Sequence, residues 1–145
     1  MSRAFVKEDD GDSEPVAPRL QRQHPYYVTP AGFTQLQARL SEAQAAGNAR
    51  DAEDLQERLE AAIVLDPGEQ DHAAAHFGAH VTVEDPQKKR QSYRIVGEDE
   101  ADPLRGTISW LSPLAQALEN HRVGDRVIWE RPAGNLAVRI VEISY

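Results

Sequence analysis

The chain has 145 residues, of which 40% are hydrophobic, and its formal net charge at pH 7 is −8. It has no cysteine, which excludes disulfide bonds and thiolate chemistry, and no apolar run long enough to span a membrane. The first ten residues lack the apolar core of a signal peptide, so we expect a soluble, cytoplasmic protein.

Residues 1–27 have the composition of a flexible arm. An acidic run covers residues 8–14, and prolines at positions 15, 18 and 25 discourage regular structure. We therefore predict a flexible N-terminal arm and assign it no secondary structure of its own.

Residues 28–66 predict an antiparallel helical hairpin, which is a short coiled coil. Thr29 suits an N-cap and Pro30 a first helical position, and Gly47-Asn48 interrupts the helical pattern. Apolar residues recur at spacings of three and four on both sides of this turn: Phe33, Leu36, Leu40 and Ala43, then Ala52, Leu55, Leu59 and Ala62. The seam is short and rich in alanine, so we expect the hairpin to depend on the rest of the chain.

The hairpin segment is also acidic, since residues 28–73 hold three basic and nine acidic side chains. This balance should repel nucleic acid and suit a basic protein surface.

Residues 67–76 have the composition of a linker, and residues 77–145 that of a β-rich domain. Five segments have strand composition, namely residues 80–84, 92–96, 107–110, 126–130 and 137–143. Turn residues separate them, and one short helix follows the third strand. The predicted fold class is therefore α+β, with an antiparallel sheet wrapped on one helix.

The short helix begins at Ser112-Pro113. The Ser112 hydroxyl can accept a hydrogen bond from a free backbone N–H of the first turn, and Pro113 is suited to the first helical position. Leu114, Ala117 and Leu118 recur at helical spacing and form one apolar face.

Histidine and tryptophan residues leave alternatives open. His72 and His76 are spaced i, i+4 and His80 follows, a pattern compatible with zinc, but no nearby cysteine or other strong ligand supports that site. We favour a solvated linker. Trp110 and Trp129 are either exposed docking aromatics or core residues, and the alternation of each strand favours the core for at least one of them.

The chain resembles the Gre family of bacterial transcription factors over most of residues 27–145. The motifs that carry the resemblance are residues 27–32 (Tyr-Val-Thr-Pro-Ala-Gly), 77–81 (Phe-Gly-Ala-His-Val), 93–101 (Tyr-Arg-Ile-Val-Gly-Glu-Asp-Glu-Ala), 112–113 (Ser-Pro), 123–125 (Val-Gly-Asp) and 132–134 (Pro-Ala-Gly). Each motif alone is weak, but their combination in this order is specific.

This resemblance implies a C-terminal domain with a fold like that of FK506-binding proteins, docked on RNA polymerase at the rim of the secondary channel. The implied docking residues surround the start of the short helix: Trp110, Leu111, Ser112, Pro113, Leu114 and Ala117. Lys88-Lys89-Arg90 lies in a predicted hairpin turn, where we favour solvation over contact with RNA or with an acidic polymerase surface.

In the cleavage factors that the chain resembles, two acidic residues at the coiled-coil tip hold a second magnesium ion while polymerase cuts backtracked RNA. Carboxylates suit this task because magnesium is a hard cation that takes oxygen ligands. The tip motif falls on residues 47–55, where Asp51 matches one carboxylate and Asn48 replaces the other. Asn48, Asp51, Glu53 and Asp54 also fit ordinary helix-start chemistry, which is the interpretation we favour. We expect no metal site and no cofactor.

The length of the hairpin is the larger departure from the cleavage factors. The 18 positions from Thr29 to Gly47 span roughly 25 Å, about half the arm that the resemblance implies for those factors. In this respect the chain is similar to the regulator of nucleoside diphosphate kinase, a Gre-like polymerase binder without cleavage activity. We therefore expect a monomeric polymerase-binding regulator of elongation that is not an enzyme, lacks cleavage stimulation and binds no nucleic acid sequence-specifically.

Two alternatives remain. The first is a working Gre-type cleavage factor that uses the tip carboxylates. The second is a prolyl isomerase, which the implied fold permits but which requires an aromatic-lined apolar pocket.

Overall fold

The computed structural model describes residues 24–145, so most of the arm predicted at residues 1–27 lies outside the described residues. The N-terminal part contains, in order, β1 (Tyr26–Val28), α1 (Pro30–Ala45), α2 (Ala49–Ala61) and β2 (Ala62–Val64). Tyr26 and Tyr27, which the sequence placed at the end of the arm, therefore form a strand. Tyr26 is 2% exposed, and its burial accounts for the difference.

The predicted helical hairpin is present. Thr29 caps α1, because its Oγ1 accepts a hydrogen bond from Gly32 N at 3.0 Å, and Asn48 caps α2. Leu36 and Leu55 are buried between the helices, with Phe33, Leu40, Ala43, Leu59 and Ala62 packed around them.

The base of the hairpin is a two-stranded sheet that the sequence did not predict. β1 and β2 pair in parallel, and Val28 O also accepts a hydrogen bond from Leu65 N at 3.0 Å. The helix ends at Ala61 instead of continuing toward residue 66, since Ile63 and Val64 are β-branched and pair with β1. Both ends of the hairpin are thus held by one ladder.

The second part is a five-stranded sheet. Its strands are β3 (His80–Glu84), β4 (Arg90–Val96), β5 (Thr107–Ser109), β6 (Arg126–Trp129) and β7 (Leu136–Ser144), in the order β5-β4-β3-β7-β6. Three of the four pairings are antiparallel, as predicted, but β4 and β5 are parallel. The loop between β4 and β5 carries the chain back along β4, so β5 runs in the same direction as β4 and the sheet is mixed. The α+β class is confirmed.

One helix, α3 (Pro113–Leu118), covers a face of this sheet. Leu118 and Ile140 are fully buried, and Val81, Ile95 and Leu114 lie in the same core. Within the described part of the chain, no helix combines the length and apolar character that a membrane span requires.

Candidate functional site

The start of α3 is held by hydrogen bonds to the loop before it. Ser112 Oγ accepts a hydrogen bond from Ala115 N at 3.3 Å, so Ser112 is the helix cap that the sequence predicted. Trp110 O accepts a second bond from Gln116 Nε2 at 3.1 Å. These bonds give the Ser112-Pro113 surface a preformed shape.

The six residues predicted to dock differ in exposure. Pro113 is exposed, and Trp110, Leu111, Ser112 and Ala117 are partly exposed. Leu114 is only 2% exposed and packs into the core. The side chain of Leu114 therefore faces the core instead of a partner, because the apolar face of α3 is the face that covers the sheet.

Trp110 joins the two parts of the molecule. Its ring centroid lies 4.8 Å from that of Tyr27 and 6.3 Å from that of His24. Its backbone N–H donates to Val96 O at 2.9 Å. Trp129 is also half-buried, with its ring centroid 6.1 Å from that of Tyr93. Neither tryptophan is fully buried or fully exposed.

The residues predicted at the hairpin tip are exposed and engage one another. Asn48 Oδ1 accepts a hydrogen bond from Asp51 N at 3.2 Å, and Asn48 Nδ2 donates to Asp51 Oδ2 at 2.7 Å. Asp54 forms an ion pair with Arg58 at 3.0 Å. Glu53 is exposed. These contacts are the helix-start chemistry expected from the sequence.

The three histidines are separated in the structure. The His72 ring stacks on Tyr145 with centroids 4.4 Å apart, His76 Nδ1 lies 3.0 Å from Glu119 Oε1, and His80 is exposed on β3. Among residues 24–145, no group of three or more His, Asp or Glu side chains is arranged to hold a metal ion.

Glu100 forms a junction between the hairpin and the sheet that was not predicted from the sequence. Its carboxylate accepts hydrogen bonds from Thr29 N at 3.1 Å, from Gly97 N at 3.0 Å and from the Thr29 hydroxyl. Thr29 is the cap of α1, so one carboxylate fixes the start of the hairpin against the loop after β4. A Cβ at Gly32 would lie 2.2 Å from Glu100 Oε1, which explains the glycine there.

Asp99 makes a second connection beside Glu100. It accepts a hydrogen bond from the Tyr26 hydroxyl and forms an ion pair with Arg58 Nη1 at 3.0 Å. Burial alone lowers the pKa of Arg58, but the Asp99 and Asp54 carboxylates raise that pKa above its ordinary value. The hairpin is therefore attached to the sheet through both β1 and α2.

The fold and these contacts define an α+β protein in which a helical hairpin is fixed to a small sheet domain. Residues 70–145 match the family profile described as "Transcription elongation factor, GreA/GreB, C-term". The chain belongs to the GreA/GreB family of transcription elongation factors.

Individual relatives agree with this family. The chain is 40% identical over 91 residues to transcription elongation factor GreB of Yersinia pestis, an alignment that covers 63% of this chain and 53% of the relative. It is 38% identical over 87 residues to transcription elongation factor GreA of Limosilactobacillus fermentum, covering 59% of this chain and 55% of the relative. The chain thus spans about half the length of the relatives it matches.

Solved structures of the same group are also similar. GreA factor homolog 1 (Gfh1) of Thermus thermophilus is 26% identical, with 84% of this chain and 100% of that chain covered and a TM-score of 0.45. The GreA/GreB factor from Nitrosomonas europaea is 27% identical, with 83% and 99% covered and a TM-score of 0.47.

These relatives correct one expectation. From its sequence the chain was expected not to be an enzyme, but the matches include several factors named GreA, among them that of Hyphomonas neptunium at 39% identity over 93 residues. The matches to factors named GreA overturn that exclusion, so the conclusion that the chain is not an enzyme is wrong.

Proposed function

We propose that this chain regulates transcription elongation by binding RNA polymerase through its C-terminal domain at the rim of the secondary channel. The match of residues 70–145 to the family profile is the observation that carries the proposal. The protein acts as a monomer in the cytoplasm, where it competes with other factors for the same rim.

The docking surface is the start of α3. Pro113 is exposed, while Leu111, Ser112 and Ala117 are partly exposed beside it. The buried Leu114 side chain supports this surface from within the core. A partner therefore meets a small, rigid, mostly apolar surface that needs little ordering on binding.

The hairpin extends from this anchored domain but is short. α1 has 16 residues and so spans about 24 Å. The tip offers Asp51 with the neutral amide of Asn48, which adds no negative charge for a cation. We propose that a tip held at the rim stops short of the catalytic magnesium and that this factor does not stimulate transcript cleavage.

A polymerase pull-down with Ser112→Asp tests the docking surface. Aspartate also caps helices, so the fold is kept while a negative charge is added at the surface. We expect about tenfold weaker binding. Gln87→Glu, in the exposed turn after β3, adds the same charge elsewhere and should bind like the wild type. No binding by the wild type, or equal binding by Ser112→Asp, would contradict the proposal.

The relatives named GreA and GreB favour a second candidate, which is cleavage stimulated through Asp51. The test is RNA release from backtracked polymerase complexes with the wild type, Asp51→Asn and the control Glu53→Gln. Release that requires Asp51 but not Glu53 establishes the second candidate. Wild-type binding without release supports the first.

A further inference from the structure

The end of the five-stranded sheet opposite the hairpin is positively charged. Residues 84–90 and 126–139 hold six basic and three acidic side chains, although the whole chain carries −8. We call this region the cationic end; its basic residues are Lys88, Lys89, Arg90, Arg126, Arg131 and Arg139. The cationic end and the hairpin lie at opposite ends of β4. Glu84 and Arg90 pair beside the turn that joins β3 and β4. Gly97, just beyond the other end of β4, lies close to Tyr27 at the base of the hairpin.

The nearby carboxylates leave much of this positive charge uncompensated. The Asp85 carboxylate accepts hydrogen bonds from Gln87 N at 2.8 Å and Lys89 N at 2.9 Å, and Glu84 is paired with Arg90 at 3.0 Å. Within residues 24–145, no ion pair involves the cationic groups of Lys88, Lys89, Arg126 or Arg139.

Two of these arginines are directly opposite each other. Arg126 on β6 is the register partner of Arg139 on β7, and like charges at directly opposite positions are unfavourable. On its other side Arg139 is the register partner of Glu84 on β3, whose carboxylate is ion-paired with Arg90. Together with Lys88, the two arginines line an open groove of about 420 Å³, which the carboxylates of Glu84 and Asp85 and the apolar Ala137 and Val138 also line. Both carboxylates are already engaged, Glu84 by Arg90 and Asp85 by backbone N–H groups of its own turn. Two arginines at one register position that line one groove suit a phosphate.

A second, smaller groove adjoins the first and shares Asp85 and Val138 with it. It has a volume of about 120 Å³ and is lined by Trp129, Leu136 and Val83, with Lys89 and Arg131 beside them. The Arg131 guanidinium lies 5.4 Å from the centre of the Trp129 ring. The guanidinium therefore lies over the face of the ring, and an aromatic ring with an arginine on it is a surface on which a nucleic acid base can stack, against the guanidinium plane or in its place.

We propose that the cationic end binds single-stranded RNA, with phosphates at Arg126 and Arg139 and a base against Trp129. An acidic peptide satisfies the cations equally well but makes no use of the aromatic groove next to them, whereas phosphate and base alternate along RNA. The acidic hairpin at the other end confines the strand to this region. RNA binding at the cationic end needs no polymerase, so its failure can be distinguished from a failure of the proposed function.

Fluorescence anisotropy of a labelled oligouridine of about 12 nucleotides tests the proposal with the full chain at low salt. We expect binding that weakens with salt and falls at least about tenfold in Arg126→Glu/Arg139→Glu. Arg39→Glu/Arg50→Glu makes the same charge change on exposed hairpin positions and should bind like the wild type. No wild-type binding, or equal loss in both double variants, overturns the proposal.

Competition identifies the class of ligand. Unlabelled oligouridine should displace the probe, and polyglutamate of equal charge should not. Displacement by polyglutamate as effectively as by RNA would show that the surface takes acidic protein, and the proposal would fail.

Two further measurements separate binding from folding. Arg126→Gln/Arg139→Gln removes the unfavourable Arg126–Arg139 pair and also the Arg139 charge opposite Glu84, so its urea midpoint should stay close to that of the wild type while RNA binding weakens. In Trp110→Phe, the sole remaining tryptophan is Trp129, and RNA should change its fluorescence. Undiminished binding by the glutamine variant, or unchanged fluorescence at saturating RNA, contradicts the assignment.

Discussion

Single side chains decide how the two parts of this molecule meet. The Glu100 carboxylate takes three hydrogen bonds, two of them from Thr29, and so is satisfied by the first turn of α1 and by its own loop. Gly32 and Gly97 allow this close approach, because a Cβ at either position would overlap the Glu100 carboxylate. The contact depends on side-chain size as much as on charge.

Gly32→Ala tests this steric requirement. In an exposed helix alanine is favoured over glycine by about 1 kcal/mol, but here its methyl group would lie 2.2 Å from Glu100 Oε1. We expect a net loss of about 1–3 kcal/mol in the free energy of unfolding, measured in urea. Adding Glu100→Ala removes the overlapping oxygen, so the alanine at position 32 should no longer be unfavourable in that background. A gain in stability from Gly32→Ala alone would contradict the contact.

Tyr145 fixes the linker to the sheet domain. Its hydroxyl donates to Ala74 O at 2.6 Å and accepts from His76 N at 3.0 Å. Tyr145→Phe should lower the free energy of unfolding by about 1 kcal/mol at neutral pH.

The same tyrosine gives a pH dependence. Burial raises the pKa of Tyr145 above its ordinary value, partly offset by the His76 N–H. The folded state therefore favours the neutral phenol, and the stabilisation is complete below pH of about 10 and is lost as the pH rises beyond it. Urea unfolding at alkaline pH should show a smaller decline for Tyr145→Phe. Parallel declines in both proteins would show that Tyr145 does not titrate differently on folding.

Local chemistry made several residues predictable. Thr29, Asn48 and Ser112 act as caps within three residues of their partners, so the sequence pattern alone identifies them. Glu100 was not predictable, because its partner Thr29 is 71 positions away and nothing in the local pattern indicates the pairing.

At the scale of elements, the hairpin shows where periodicity succeeds. Residues spaced by three and four predicted both helices, and Leu36 and Leu55 are buried as that spacing requires. The pattern failed at Ala62–Val64, since three residues are too few for alternation to distinguish a strand from a helix end. The parallel β1–β2 ladder arises from tertiary pairing.

Arg58 connects α2 to the sheet domain, and Arg58→Gln should weaken that connection. The loss of the ion pairs to Asp99 and Asp54 should cost about 1 kcal/mol and raise amide hydrogen exchange in the last turn of α2. Arg50→Gln, at the exposed start of α2, is the matched control and should leave exchange there unchanged. Equal exchange in both variants would contradict the role of Arg58.

At the scale of the whole molecule, the two parts differ in how far each could fold without the other. The sheet domain has its own core around Ile95, Leu118 and Ile140, whereas the hairpin buries only four residues in its cluster. The order of the strands was not predictable from composition, because the parallel β4–β5 pair depends on the path of the intervening loop.

A fragment of residues 67–145 should therefore fold alone, with the circular dichroism of a sheet protein and a cooperative urea transition. A fragment of residues 24–66 should remain largely unfolded, since isolated short helices are marginal in water. The fragment of residues 67–145 should be less stable than the full chain, because Trp110 and Phe77 lose their contacts with Tyr27. A stable helical 24–66 peptide would show that the hairpin does not need the sheet.

The β1–β2 ladder has a consequence for engineering. The strands β1 and β2 that flank the hairpin pair with each other, so the hairpin can be lengthened at its tip without changing its base. Inserting one heptad into each of α1 and α2 should advance the tip by about 10 Å. Matched insertions therefore give a series of variants that differ only in how far the tip stands from the β1–β2 ladder, which makes reach a variable that mutagenesis can set in steps.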